Sequence, residues 1–487
     1  MRKMLPGWRG LRDDEAWASV RVCLSSGHKS NMSSNAASSS SPLPDGLPTP
    51  RRYWAVAAQL LAIIVTVLDS SIVNVSLPTI ARELNASPAQ SVWIVNAYNL
   101  TLLATLLPFA ALGERIGFRR VFTGGLAVFF LAALTCSLSR SFEMLAAARV
   151  LQGLGAAAVM SVMGGLMRHI YPRHLLGRGI GFNAMIVGTM AGLGPPISSA
   201  ILSVAHWPWL FAISVPLSLV PLFGARMLPD SVYSKTRFDA TGAVLSATTL
   251  ILIVVGVDHL ASHTLLAVAL ILAGVLTGYV LVKRSGKQTN PLAPVDLFRL
   301  PMFSYAVAAS LFLFGAQMAA FVSLPFYFQQ VMGRNQIEVG FLMTAWPIFG
   351  AIMAPVAGRL ADSYSAAVLS GIGAGTMVLG LVALILLPQD AGDVWIVSCM
   401  ALGGIGFGFF QSPNNRAMLT AVPLNRSGAA GGVQATTRTF GQSLGIALVA
   451  IAFGLSATHG SVVAVWFAVV FGLAAAMVNV VRVRAHM

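Results

Sequence analysis

The sequence predicts an all-α integral membrane protein built of two six-helix bundles plus two inserted helices, about 14 transmembrane helices in all. Three observations lead to this prediction: the composition, the length of the apolar stretches and an internal repeat. Hydrophobic residues form 56% of the 487 residues and charged residues 10%, with a mean hydropathy of +0.77. Soluble globular domains carry charge on about 25% of their residues, so we expect most of this chain to lie in lipid.

After residue 50, apolar stretches of about 20 residues follow one another, and each is long enough to span a bilayer as a helix. Apolar residues fill each stretch continuously instead of alternating with polar ones, which favours helices over strands. A helix also satisfies its own backbone hydrogen bonds in lipid. Residues 1–50 differ, because a Ser-rich tract and several prolines there are typical of a disordered cytoplasmic tail.

The net charge of +15 does not indicate a nucleic-acid-binding protein, because the basic residues stand between apolar stretches rather than on one surface. They cluster in every second connection, in four groups: Arg115, Arg119 and Arg120; Arg168, Arg173 and Arg178; Arg226, Lys235 and Arg237; Lys283, Arg284 and Lys287. By the positive-inside rule these connections are cytoplasmic, and an even number of helices then places both termini in the cytoplasm. We expect a multi-pass protein of the plasma membrane, the inner membrane of a bacterium.

An internal repeat divides the chain into two related halves. The sequence of Val75–Pro78 recurs at Val322–Pro325, and the Gly-Leu-Gly at 153–155 is matched by Gly-Ile-Gly at 404–406. The matches keep their order and share an offset of roughly 250 residues, as in transporters built from parallel repeats. We therefore predict an N-terminal six-helix bundle at 51–228, two inserted linker helices at 229–284 and a C-terminal six-helix bundle at 285–487, after the tail at 1–50.

Several motifs are missing from the sequence. It has no Gly-x-x-x-x-Gly-Lys-Ser/Thr loop for a nucleotide, and no Ser/His/Asp or His-Glu-x-x-His arrangement for catalysis. Cys23, Cys136 and Cys399 match no metal or disulfide spacing. We expect a secondary transporter rather than an enzyme, with no cofactor or metal and with a proton gradient as its energy source.

Asp69 is the most informative residue, because it interrupts an apolar stretch that runs from Trp54 to Pro78. A charged side chain at the centre of a membrane helix costs roughly 2.5 to 3.5 kcal/mol, so such a residue indicates a function by default. Position 69 falls opposite Ala316 in the repeat, so the second half has no matching acid. We predict that Asp69 carries the coupling proton of a transporter; a satisfied structural acid is the alternative.

Other polar residues lie on the same side of the first helix. On a helical projection the polar positions around Asp69 are Gln59, Thr66, Ser70 and Asn74. This face is expected to line a wet cavity. An acid that is buried when the cavity closes and hydrated when it opens takes up and releases a proton with each cycle.

Four segments carry a resemblance to a known family. Leu68–Pro78 resembles the first-helix signature of the fourteen-span drug:proton antiporters of the major facilitator superfamily. Arg149–Ala157 is similar to the fourth-helix motif of that superfamily, and Leu112–Arg120 to its motif between helices two and three. Gly194-Pro195 resembles the core of the antiporter motif, although Ser198 and Ser199 follow where glycines are usual. The resemblance implies the major facilitator fold.

The resemblance also implies roles for individual residues. It makes Arg149 a partner in proton coupling; a helix-tethering ion pair or a carbonyl contact is the alternative. Alternating access also needs a contact that differs between two states, and the predicted conformational latch consists of Glu114, Arg115, Gly117, Arg119, Arg120 and Asp362. The alternative is that these arginines only obey the positive-inside rule. The predicted antiporter motif consists of Gly188, Gly192, Gly194 and Pro195. The candidate substrate or cavity residues are Asn74, Gln59, Ser70, Tyr98, Gln152, Gln317 and Arg438, and for Arg438 a packing ion pair is an equal alternative.

We predict a proton-coupled antiporter that exports drugs or other toxic small molecules by alternating access. An exporter or importer of a specific metabolite or siderophore is the alternative within the class, and a channel or membrane sensor is the alternative outside it. The candidate partners are a cationic or amphipathic small molecule, protons, membrane lipid and a periplasmic adaptor. Nucleic acid is not expected.

Overall fold

A computed structural model of the chain describes residues 46–230, 239–260, 263–286, 288, 294–361, 363–422, 427–456 and 458–485. All regular structure in these ranges is helical. Fourteen of the helices are long and apolar enough to cross a membrane. This confirms the predicted fold class. The predicted tail lies outside the described residues as far as residue 45.

Six helices form the first bundle: α1 (Thr49–Glu83), α2 (Pro88–Ile116), α3 (Phe118–Ser137), α4 (Phe142–Ile170), α5 (Arg173–Val204) and α6 (Pro208–Met227). Two inserted helices follow, α7 (Ala240–Asp258) and α8 (Thr264–Ser285). The second bundle consists of α9 (Pro301–Val331), α10 (Gln336–Leu360), α11 (Ala366–Leu386), α12 (Asp393–Thr420), α13 (Ser427–Leu455) and α14 (Gly460–Arg484). The exact domain limits at residues 228 and 284 stay predictions.

The repeated glycines make the same kind of contact in both bundles. A Cβ added to Gly155 of α4 would lie 2.5 Å from the backbone nitrogen of Phe129 and 2.8 Å from the carbonyl oxygen of Gly125, both in α3. Gly406 of α12 faces the backbone of Gly373 and Met377 in α11 in the same way. Glycine lets two membrane helices approach until their backbones touch. The repeat in the sequence therefore corresponds to a repeated helix contact.

The two bundles meet mainly along two pairs of helices, α5 with α10 and α2 with α13, and α1 also contacts α9. The inserted helix α7 packs on both α2 and α13, where Val254 joins Leu103 and Ala447 in one apolar cluster. Asp239 caps α7 and accepts hydrogen bonds from Arg284 (2.8 Å) and Gln288 (3.2 Å), which ties the start of α7 to the end of α8. Partial burial alone would raise the pKa of Asp239. The hydrogen bonds from the Gly242 N–H, Gln288 and Arg284, together with the Arg284 charge, outweigh burial, so the pKa lies below its usual value.

We call the end of the molecule that carries Arg119, Arg168 and Lys283 the basic face. At the opposite face, Gln336 joins the two bundles. The Gln336 side chain accepts a hydrogen bond from Thr79 (3.1 Å) and donates one to the carbonyl oxygen of Val75 (3.3 Å), both in α1. The Ser199 hydroxyl of α5 donates to the Gln336 backbone oxygen at 2.9 Å. The face opposite the basic face is therefore closed across the boundary between the bundles.

The glycine contact between α3 and α4 can be tested with Gly155→Val. Both contacting atoms belong to the backbone, so the helices must separate, and overpacking of this kind destabilises by roughly 1–3 kcal/mol. We expect a lower folded yield and a lower unfolding temperature in detergent, measured by fluorescence-detected size exclusion after heating. Gly164→Val is the matched control, because it is in the same helix and a Cβ there meets nothing within 4 Å. Equal losses for both variants would contradict the contact.

Candidate functional site

Asp69 of α1 forms an ion pair with Arg149 of α4. The distance between Asp69 Oδ2 and Arg149 Nη1 is 2.7 Å, and neither side chain is exposed at all. The two residues are 80 positions apart in the sequence and lie on different helices of the first bundle. The carboxylate thus has the partner that a buried charge requires.

Two further side chains complete the surroundings of the Asp69 carboxylate. Gln152 donates from Nε2 to Asp69 Oδ1 at 2.8 Å, and the Ser214 hydroxyl donates to the same oxygen at 3.3 Å. Both donors are buried. Each of these hydrogen bonds to the carboxylate comes from a donor, an arrangement that suits the ionised form of the acid.

Arg149 is held by three other groups. Its Nε donates to the carbonyl oxygen of Ile94 at 3.1 Å, and Nη1 also donates to Gln152 Oε1 at 2.8 Å. The guanidinium carbon lies 4.2 Å from the centre of the Tyr98 ring, close enough for a cation–π interaction. Nη2 is buried and has no acceptor among the described residues. The arginine thus connects α1, α2 and α4 through its side chain.

Local sequence explains how these groups meet. Arg149 and Gln152 are three residues apart in a helix, so they project from the same face. Gly153 allows α2 to approach: a Cβ there would lie 2.6 Å from the Tyr98 carbonyl oxygen. In α6 the helix is interrupted at Ile213, because Pro216 has no N–H for the carbonyl of Ala212, and the second part begins with Ser214.

The predicted polar face of α1 is packed against protein in this conformation. Gln59 is 2% exposed and Asn74 5% exposed, while Ser70 is half-buried. Gln59 donates weakly to the Met163 carbonyl oxygen at 3.5 Å. The side-chain oxygens of Gln59 and Asn74 are buried without a donor among the described residues. This face of α1 is therefore polar and contains oxygens without a hydrogen-bond donor, but in this conformation it packs against protein and does not line a water-filled cavity.

Arg438 of α13 is placed differently from Arg149. It lies deep within the helix bundle but keeps part of its surface open. It forms no ion pair with any residue in the described ranges. Gln434 and Gln442, four residues before and after it, share its side of the helix and are also half-buried. Gln317 of α9 is half-buried as well.

The residues of the predicted latch lie at the basic face. Gly117 has φ of 102°, which glycine adopts readily, and this residue ends α2 and starts α3. Arg119 pairs with Asp230 at 3.1 Å; the Arg119 side chain is half-buried and the Asp230 side chain is exposed. Glu114 and Arg115 are exposed at the end of α2. Asp362 lies outside the described residues.

The predicted antiporter motif brings α5 against its neighbours at one point. A Cβ on Gly194 would collide with the side chain of Ser71 in α1, and Ser71 donates a hydrogen bond to the Ala191 carbonyl oxygen at 2.8 Å. Gly192 would meet Pro347 of α10 only in ordinary contact at 3.4 Å, and Gly188 has nothing within 4 Å. Ser199, where the motif usually has glycine, instead lies against Gly340 of α10.

Sequence reasoning missed several contributors to these sites. Ser214 and Ile94 touch the ion pair, and Gln336 closes one face, but none was predicted. Ser214 gave no signal because serine is common in apolar helices. The Ile94 contact uses a backbone carbonyl, which every residue has. Gln336 is at a helix start, where a glutamine is expected in a loop. The pairing of Asp69 with Arg149 likewise depends on how α1 packs on α4.

Comparison with known proteins gives the family. The model of the Major Facilitator Superfamily matches residues 60–446. The chain is 45% identical over 445 residues to "Uncharacterized transporter YebQ" of Escherichia coli, covering 90% of this chain and 97% of that protein. It is 30% identical over 413 residues to "Riboflavin transporter RibZ" of Clostridioides difficile, covering 84% and 90%.

A third relative is named for drug export. The chain is 28% identical over 421 residues to "Multidrug efflux pump LfrA" of Mycolicibacterium smegmatis, covering 84% of this chain and 82% of that protein. The relatives confirm that the chain is a transporter and not an enzyme, as the missing catalytic and nucleotide motifs predicted. With fourteen apolar helices and a family match over most of its length, the chain belongs to the major facilitator superfamily of membrane transporters.

Proposed function

We propose that this transporter is a proton-coupled antiporter that exports toxic small molecules by alternating access. The observation that carries the proposal is the fully buried Asp69–Arg149 pair. Burial of an ionisable pair within membrane helices costs free energy, and in transporters such groups commonly form part of a proton relay. No cofactor is needed in this proposal, because the proton gradient supplies the energy.

The contacts of Asp69 suggest how proton uptake and movement are linked. Protonation removes the negative charge and turns one carboxylate oxygen into a donor, which faces donors from Arg149, Gln152 and Ser214. The neutral acid loses the ion pair and keeps only the Ser214 hydroxyl as an acceptor, so it fits this arrangement less well. Proton uptake favours a second arrangement in which Arg149 finds water or another partner, and the two arrangements differ in interactions as a switch requires.

Closure at one face supports alternating access. Gln336 joins α10 to α1 and α5 at the face opposite the basic face. α1 also carries Asp69, so a change in the ion pair acts on the helix that Gln336 holds. Rocking of the two bundles would break these few hydrogen bonds and open that face. In this proposal Glu114, Arg115 and Arg119 form new contacts at the basic face in the second state.

The charge in the interior bears on the substrate. Asp69 and Arg149 neutralise each other, whereas Arg438 has no acid partner in the described ranges. A positive site that is partly open favours an amphipathic substrate with an acidic or electron-rich group over a lipophilic cation. The resemblance to LfrA favours drug export, and the resemblance to RibZ favours a specific metabolite as the second candidate.

Asp69→Asn is expected to abolish substrate-dependent proton movement in proteoliposomes, because an amide cannot ionise. The measurement is the fluorescence of a pH dye inside the vesicles after addition of a candidate substrate. Asp393→Asn is the matched control, since Asp393 is also ion-paired, with Arg334 at 3.0 Å, but is 59% exposed. Proton coupling retained by a folded Asp69→Asn protein would remove this residue from the mechanism.

Arg149→Gln separates a coupling role from a structural tether. Removal of one partner of a buried pair costs about 3–5 kcal/mol, so the single variant is expected to be less stable, whereas Asp69→Asn/Arg149→Gln should recover much of that loss. For a coupling role, the pH profile of transport per folded Arg149→Gln molecule shifts to higher pH, because no cation opposes protonation of Asp69. An unchanged profile with lowered stability would assign Arg149 to tethering alone.

Arg438→Gln tests the charge of the substrate site. Fluorescein and rhodamine 123 share a flat ring system and carry opposite charges, so their efflux from cells can be compared directly. We expect the ratio of fluorescein to rhodamine 123 export to fall about tenfold in the variant, equivalent to 1.4 kcal/mol, and to be largely kept in Arg438→Lys. An unchanged ratio would contradict a role in substrate selection, and failure to export either dye would favour the specific metabolite.

A further inference from the structure

A second fully buried arginine lies in the other bundle, far from Asp69 in the sequence. Arg482 in the last turn of α14 is 0% exposed. Its Nη1 donates to Asn414 Oδ1 of α12 at 2.9 Å. Nε and Nη2 are buried and have no acceptor among the described residues. A buried charged donor without a partner is costly, so this guanidinium calls for an acceptor.

The polar network around Arg482 fixes its orientation but does not neutralise its charge. Asn414 donates from Nδ2 to the Ala306 carbonyl oxygen at 2.9 Å and to the Ser310 hydroxyl at 2.7 Å, both in α9. These bonds hold the amide so that its oxygen faces Arg482. The partner is neutral, and the full positive charge of Arg482 remains. Nε and one Nη of a guanidinium form the planar fork that matches two oxygens of a phosphate or carboxylate.

A cavity of about 250 Å³ lies beside this network at the basic face. Its lining includes Arg482 and a second, exposed cation, Arg416 of α12. Ser365, Ala366 and Ala367 also line it. They form the start of α11, where Ser365 makes no side-chain cap hydrogen bond, so the backbone N–H groups of the first turn are available as donors. No acidic residue is among the described residues that line the cavity.

Two cations and an uncapped helix start therefore surround one small space. The positive end of a helix attracts anions, and phosphate groups bind there through backbone N–H groups. The guanidinium fork of Arg482 adds a donor set that no described residue uses. We propose that this cavity binds a phosphate group, supplied either by the headgroup of an acidic phospholipid or by a free phosphate.

Binding there would join the ends of α9, α11, α12 and α14 at the basic face. The inference does not rest on proton coupling or on export, because the cavity lies within the second bundle and includes neither Asp69 nor Arg149. Its effect is on the stability of the second bundle, through a ligand that binds the folded state alone.

The experiment uses the purified full-length protein, freed of lipid in detergent, and measures its thermal unfolding. One arm adds inorganic phosphate against chloride at equal ionic strength. The other arm compares nanodiscs of phosphatidylcholine with nanodiscs that contain phosphatidylglycerol. We expect a higher unfolding temperature with phosphatidylglycerol, with inorganic phosphate or with both. A response to phosphatidylglycerol alone assigns the phosphate to lipid, and a response to inorganic phosphate assigns it to a free anion.

Variants decide whether the response comes from this cavity. Arg482→Gln is expected to weaken the response about tenfold in ligand concentration, as for loss of a charge-assisted hydrogen bond. Arg416→Gln replaces an exposed side chain and gives the same test if Arg482→Gln does not fold. Arg484→Gln is the matched control, an exposed arginine one half-turn further along α14. No response in either arm, an unchanged response in the cavity variants, or an equal loss in Arg484→Gln would overturn the proposal.

Discussion

The first bundle is organised around the contact between Asp69 and Arg149. Two charges removed from water lose several kcal/mol of solvation each, and only close geometry with further hydrogen bonds offsets that loss. Here the geometry is close, at 2.7 Å, and Gln152, Ser214 and the Ile94 carbonyl oxygen provide the further bonds. The donors and acceptors come from α1, α2, α4 and α6. Any change at the pair therefore acts on four helices at once.

This dependence explains why a buried pair suits a transporter better than it suits a rigid structure. If one member changes its charge, the other becomes an uncompensated charge in a medium of low dielectric. Two changes can compensate the charge of Arg149 after Asp69 is protonated. Either the proton leaves Asp69, or the helices move until water reaches the guanidinium. The hydrogen bonds made by Gln336 at the far end of α1 are few and neutral, so a charge imbalance of several kcal/mol is large enough to break them.

Hydropathy predicted the fourteen helices because composition alone decides which segments can lie in lipid. It also predicted Asp69 and Arg149 as important residues, since each is conspicuous in an apolar stretch. The sequence alone did not predict that Asp69 and Arg149 form a pair, because their contact depends on how the helices pack, for example on the backbone contact of Gly153 with α2. Arg482 was missed for a different reason. In the sequence Arg482 directly follows an apolar stretch, and an arginine at a helix end already has an explanation in the positive-inside rule.

The two bundles treat buried charge in opposite ways, although their glycine contacts repeat. In the first bundle the arginine meets an acid; in the second, the position opposite Asp69 is Ala316, fully buried among apolar side chains. Two arginines within the helices of the second bundle, Arg438 and Arg482, have no acid partner among the described residues. An isolated buried cation is unfavourable, so each of these two arginines favours water or an anion as a partner. In the proposed mechanism the first bundle therefore responds to protons, whereas the second bundle responds to ligands that carry negative charge.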